Sequence, residues 1–201
     1  MLFDQTHHGT FAVESVGKKE VRCRRLEIRE NSILLPRMHW FMPLLDRDAF
    51  ESTLSALTVL GATTVQPIIT QKVHRSVFAL HEHNRMHRTM IAAAEQSKQF
   101  MIPTIKKSVA FESITDILRD YSHAVRLFFD PAGLPAFDMI EKLRDQRPQN
   151  IICMAGPEGD LTDREKQVLR ENGFDFYRLT PTILRSEHAI ALAAGIIRSV
   201  V

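Results

Sequence analysis

Two segments of this chain have residue types and spacing that can do chemistry: Gly156-Pro157-Glu158-Gly159 and, one helix later, Leu179-Thr180-Pro181-Thr182-Ile183-Leu184-Arg185-Ser186-Glu187. Each follows a short apolar run, residues 151–155 and 174–179, of the kind that forms a buried strand. Tight loops at the ends of two neighbouring strands make a ligand crevice. Gly156 and Gly159 open backbone angles closed to other residues, while Pro157 fixes its own φ and donates no hydrogen bond. The second loop offers an apolar slot, Leu179 to Leu184, beside a permanent cation, Arg185, and a carboxylate, Glu187. A guanidinium can stabilise charge that develops on an oxygen, and a carboxylate can orient it or receive a proton.

Other chemistries find less support. Rossmann and Walker loops need a glycine pattern that is absent here, and Pro157 removes an amide that would hold phosphate. No Ser-His-Asp or Cys-His set has supporting motifs. His81, His83 and His87 could offer imidazoles to a metal, but no cysteine lies nearby and only Glu82 adds a carboxylate, so the stretch reads as a polar helix start and no metal is expected. Glu95-Gln96 is open between a contact to RNA or the second loop and a solvent-facing pair. Trp40, beside Phe41 and Met42, reads as packing before it reads as a base-stacking platform.

The elements that must hold these loops alternate between strand and helix. Thr162-Asp163-Arg164-Glu165 has capping-box spacing, with Val168 and Leu169 facing inward and Gly173 as the stop, which predicts a helix over 162–172. Ser186-Glu187 is expected to cap a final helix too apolar on all sides to be a free surface element. Upstream, the pattern predicts strands at 38–42, 63–69 and 124–129, a short extended piece at 101–105, and helices at 46–60, 84–98, 111–120 and 136–145. A basic loop spans 71–76. This alternation argues for an α/β fold, a mostly parallel sheet flanked by helices.

Composition sets bounds. Two hundred and one residues with 44% hydrophobic content can build one full domain and a fragment of another. Cys23 and Cys153 are far apart and give no disulfide framework. No apolar run reaches the length of a membrane span and no basic-then-apolar leader opens the chain, so a cytoplasmic protein is expected. Charge is uneven. Residues 1–110 carry 15 Lys and Arg against 10 Asp and Glu, and residues 111–201 carry 11 against 14, giving +5 in front and −3 behind. Phosphate contacts are therefore expected in front, at the cluster Lys18, Lys19, Arg22, Arg24, Arg25 and Arg29, with Arg85 and Arg88 as a second candidate.

The pairing of Gly-Pro-Glu-Gly with Leu-x-Pro-x-Ile-Leu-Arg-x-Glu resembles the RsmE family of 16S ribosomal RNA (uracil-N3)-methyltransferases, members of the SPOUT superfamily. Leu60-Gly61-Ala62 with Pro67-Ile68, Arg75-Ser76, and Ala93-Ala94-Glu95-Gln96-Ser97 followed by Pro103 are similar to further family signatures, in order, over about residues 33–198. The chain departs from the family at Asp160, Thr180, Thr182, His188, Val59 and Gln99. The resemblance implies a C-terminal trefoil knot and S-adenosylmethionine as cofactor, held by Phe129, Gly156, Pro157, Glu158, Gly159, Leu179, Thr180, Ile183 and Leu184. It also implies catalytic roles for Arg185 and Glu187, and ribosomal RNA bound by Arg22, Arg24, Arg25, Arg75, Arg85 and Arg88.

Two further implications concern assembly. Residues 2–30 read as two or three short strands with almost no core of their own. They resemble the second half of the family's PUA-like barrel, so the expected division is a partial PUA-like β domain over 1–32, an RNA-binding remnant, and a SPOUT methyltransferase domain over 33–201. Either the barrel is reduced or the natural start lies upstream of Met1. The family forms homodimers, and the apolar final helix, with Ile190, Leu192, Ile196, Ile197 and Val200, is suited to that or to burial within one subunit. Two other functions stand beside this one: the same fold acting on a different RNA, and a non-catalytic RNA-binding or assembly protein.

Overall fold

The structure, a computed structural model, describes residues 2–72 and 80–200. In chain order it contains β1 (Leu2–Phe3), β2 (His7–Val16), β3 (Val21–Glu30), β4 (Arg37–Pro43), α1 (Arg47–Val59), β5 (Thr64–Ile69), α2 (Leu80–Ser97), β6 (Thr104–Ile105), β7 (Val109–Ala110), α3 (Ile114–Leu118), β8 (Val125–Pro135), α4 (Ala136–Gln146), β9 (Asn150–Ala155), α5 (Asp163–Glu171), β10 (Asp175–Arg178) and α6 (Ser186–Val200). The larger sheet runs in the order β10-β8-β9-β4-β5-β6, with β7 also on β5, and its pairings are parallel.

The central strands are the continuous apolar runs. From Met38 to Pro43 and from Ile151 to Ala155 every residue is buried, as a strand covered on both faces requires. Alternation along β4 divides the core. Met38, Trp40 and Met42 join α1, α2, α4 and α6 on one face, while Phe41 joins Phe111, Ile114, Leu118 and Leu169 on the other. Trp40 is thus fully buried, as packing demanded. The apolar α6 is explained the same way: Ile190, Ala193, Ala194 and Ile197 are buried in the first of these clusters.

Arg198, near the end of α6, is a clamp across the fold. Its guanidinium donates to the carbonyls of Leu35, Pro36, Leu60 and Gly61 at 2.9–3.2 Å. Those bonds tie α6 to the segment just before β4 and to the turn after α1, satisfying carbonyls that neither element uses.

The capping box forms as the spacing predicts, with both Thr162 and Glu165 reciprocating, and Gly173 takes φ +73° just past the helix end. Three expectations are corrected. The segment expected as one helix over 111–120 is α3 flanked by two 3-10 turns. The helix expected at 84–98 begins at Leu80. Ser186 is not a cap: its hydroxyl donates to the carbonyl of Gly156 at 2.6 Å, while the Arg185 carbonyl accepts the Ala189 amide.

The front sheet, β1-β2-β3, is antiparallel and thin. All ten residues of β3 are exposed, and Val13, Val16, Val21, Leu26 and Ile28 show at least 47% of their surface, so it has little core, as its sequence suggested. At its first turn the Asp4 carboxylate accepts the amides of His7 and Thr6 and the Thr6 hydroxyl, which holds its pKa at about 2.

His39 supplies a pH test of the main sheet. It sits buried in β4 between Thr64 and Asn150, against Tyr121. Burial lowers its pKa, opposed by the Asn150 hydrogen bond and aided by Lys106 and Arg37. The unfolded chain therefore binds a proton before the folded chain does. Its contribution to stability is complete above the ordinary histidine pKa, about 6.5, and is lost as pH falls through the lower folded value. Thermal midpoints measured from pH 8 down to pH 5 should fall more steeply for the parent than for His39→Asn.

Candidate active site

Three backbone features at one end of the sheet enclose a cavity of about 420 Å³, within the range of small-molecule sites. The first is a bulge in β8. The register with β10 jumps from Phe128↔Phe176 to Leu134↔Tyr177, so residues 129–133 loop out and place Phe129, Asp130 and Pro131 on the cavity wall. Gly133 makes this possible, because a Cβ there would lie 2.6 Å from the backbone of Phe176 and Tyr177. The second feature is the turn after β9, contributing Ala155, Gly156, Pro157, Glu158 and Asp160. The third is the loop from β10 to α6, with Leu179, Thr180, Thr182, Ile183, Leu184 and Arg185. The Ser186 bond to Gly156 joins the second feature to the third.

Eight of the nine residues expected to hold a cofactor line this cavity: Phe129, Gly156, Pro157, Glu158, Leu179, Thr180, Ile183 and Leu184. Gly159 does not. It lies on the outer side of the turn, where the Lys72 ammonium donates to its carbonyl at 3.0 Å and to that of Leu161 at 3.3 Å. The left-handed residue of the turn is also not one of the glycines. Asp160 takes φ +57°, a region that aspartate enters more readily than most side chains because its carboxylate can bond locally. Here the Leu161 amide donates to it at 2.7 Å.

Arg185 lines the cavity and is exposed, with no ion pair among the described residues. Glu187 does not line it and stands in the first turn of α6, unpaired with Arg185. Sequence reasoning missed Asp130, Tyr177 and the bridging role of Ser186. It also missed Lys166, whose ammonium sits 2.7 Å from both Asp130 and Asp160. Burial works against this charge, but hydrogen bonds and the fields of the two carboxylates outweigh it and raise the Lys166 pKa.

The expected RNA contacts are spread over two surfaces. Arg22, Arg24 and Arg25 are exposed on β3, with Arg22 near Glu20 and Arg24 near Glu14. Such exposed pairs are weak and can be exchanged for phosphate. Arg85 is committed to Glu51 at 2.6 Å, while Arg88 is exposed on α2. Glu95 and Gln96 are exposed too. Arg75 lies outside the described residues, as do the side chains of His81 and His83. Among the described residues no cluster of three metal-ligating side chains occurs.

The sequence model of the RNA methyltransferase domain family matches residues 34–198. The chain belongs to that family. Its relatives include the ribosomal RNA small subunit methyltransferase E of Aquifex aeolicus, 26% identical over 200 residues, 97% of this chain and 84% of that protein. The protein of the same name from Bacillus subtilis is 27% identical, covering 88% of this chain and 72% of its own length. Among solved structures, a ribosomal RNA small subunit methyltransferase E from Neisseria gonorrhoeae bound to S-adenosyl methionine superposes with a TM-score of 0.84 at 24% identity, over 98% of this chain and 81% of that one. The SpoU methyltransferase AviRb from Streptomyces viridochromogenes reaches 0.55 at 12% identity, over 92% and 68%. The fold of this RNA methyltransferase domain is thus that of the SPOUT enzymes, as the sequence resemblance implied. Its matched residues include the three segments that enclose the cavity.

Proposed function

We propose that this protein transfers a methyl group from S-adenosylmethionine to N3 of a uridine in 16S ribosomal RNA. One observation carries the reading: the two loops of the family signature meet in space and, with the β8 bulge, close on a cavity with mostly apolar walls and a guanidinium at its side that has no ion pair among the described residues. The donor fits this chain's residues. Leu179, Ile183, Leu184 and Phe129 give an apolar slot for the adenine, and the backbone of the turn from Gly156 to Glu158 lies on the same cavity for the polar part.

The donor supplies an electrophilic methyl on a sulfonium, which becomes a neutral thioether as the methyl leaves. The protein's tasks are placement and charge. N3 must be unpaired and in line with the methyl, so the uridine is single-stranded or extruded. Loss of the imide proton spreads negative charge onto the flanking carbonyl oxygens, where Arg185 is the available cation. Glu187, in the first turn of α6, takes that proton through water or orients Arg185 once RNA is bound.

The same reading includes a homodimer, a C-terminal knot and work in the cytoplasm. It also includes the division at residue 33, with the front sheet and its arginines gripping RNA. The apolar surface left open on β2 and β3 supports a partner there, and among the described residues no helix is long and apolar enough to cross a membrane. The test is transfer of tritiated methyl to unmodified small ribosomal subunits, followed by mapping of the product. Label on N3 of one uridine is expected; label on another RNA or another atom, or none, would overturn the assignment.

A further inference from the structure

The cavity's first two walls part company with the sheet at the same level. The ladder between β8 and β9 ends at Phe129↔Ala155, and past that pair the bulge and the turn leave on separate courses. What joins them is a side chain behind the cavity. Lys166 of α5 places its ammonium 2.7 Å from the Asp130 carboxylate in the bulge and 2.7 Å from the Asp160 carboxylate in the turn. Lysine and Asp130 are largely buried, with side chains 16% and 5% exposed.

Each carboxylate also shapes its own loop. The second oxygen of Asp130 accepts the Ala132 amide, and that of Asp160 accepts the Leu161 amide, both at 2.7 Å. Asp160 further reaches back over the start of its turn, since a Cβ on Gly156 would meet its carboxylate at 3.0 Å. An aspartate at φ +57° costs more than glycine would, but a glycine there could not make the bond to Lys166. Asp160 keeps more contact with water, its side chain 53% exposed, so without the ammonium it is the buried Asp130 that is left without a counter-charge, and the two carboxylates no longer hold the loops together.

We propose that Lys166 is a positioning residue of the donor site: by sharing one ammonium between Asp130 and Asp160 it fixes the spacing of the two loops that receive the donor. Lys166 does not itself line the cavity. The proposal rests on the donor reading above. Its effect is on binding of the donor, because Lys166 holds the first two walls while Arg185 stands on the third.

Calorimetry with S-adenosylmethionine tests it on the full chain. Lys166→Met should weaken donor affinity about tenfold or more and raise the donor KM, with kcat at saturating donor within about twofold of the parent. Lys166→Arg, whose fork can span two carboxylates, should recover most of the affinity. Lys142→Met, which removes the ion pair to Asp175 on the far side of β10, should cost stability and leave donor affinity unchanged. Should Lys166→Met fail to fold, Asp160→Gly breaks the same bridge while suiting the backbone; it should stay folded and bind donor several-fold more weakly. A folded Lys166→Met or Asp160→Gly that binds like the parent overturns the proposal, as does an equal loss in Lys142→Met. A parent that binds no donor overturns the donor reading itself, a result distinct from these.

Discussion

Arg185→Ala is expected to lower kcat by about a hundredfold to a thousandfold, the cost of removing one preorganised donor to a developing oxyanion, while donor affinity changes little. The guanidinium lies on the cavity side with no carboxylate claiming it among the described residues, so it is available for charge that exists only in the transition state. An interaction of that kind appears in kcat and not in ground-state binding. Arg185→Lys keeps the charge but loses the planar fork, and should fall between the two. Single-turnover methyl transfer to small subunits, with calorimetry of the donor alone, separates these contributions. An alanine variant with parental kcat would remove Arg185 from the chemistry.

Gly133→Ala should have the largest effect on the shape of the site. Its Cβ would sit 2.6 Å from the carbonyl carbon and oxygen of Phe176 and from the nitrogen of Tyr177, and backbone atoms inside a sheet cannot turn aside as a side chain could. Either β10 moves away from β8 or the bulge straightens. The overpacking costs about 2 kcal/mol, a fall of roughly 4–8 °C in thermal midpoint for a chain of this size. Donor affinity should fall with it, because β10 leads directly into Leu179 and Thr180. Gly195→Ala is the control. Nothing lies within 4 Å of a Cβ there, so in the interior of α6 it should stabilise by about 0.5–1 kcal/mol. Differential scanning calorimetry of both variants gives opposite signs if the bulge is built as described.

Much of this site was legible because its parts are local. A capping box, a glycine after a helix, and apolar runs of five or six residues each carry their structural meaning within a few positions, and Thr162, Glu165, Gly173 and residues 151–155 behave accordingly. The bulge was not legible. Asp130-Pro131-Ala132-Gly133 reads as the end of a strand, and only the partner β10 reveals that the strand resumes at Leu134. Asp130 therefore had no visible link to the site. Lys166 was hidden for a similar reason: on α5 it looks like one more charge on a polar helix, and its two carboxylates lie 36 and 6 residues away along the chain. Asp160 stood out as a departure from the family pattern, but its left-handed backbone and its bond to Lys166 are facts of the folded chain.

The order of synthesis adds a constraint. β4 supplies the middle of the core, yet one of its two neighbours, β9, follows far downstream: His39 and its partner Asn150 are separated by 111 positions. At ordinary elongation rates a growing chain waits on the order of ten seconds for that neighbour. Throughout the delay Trp40, Phe41 and Met42 sit on an open edge, a stretch fit to attract stray strands. Nascent polypeptides halted before Asn150 should thus depend on chaperone cover, and a ligand cradle built wholly from late segments cannot exist on the ribosome until nearly everything else has been made.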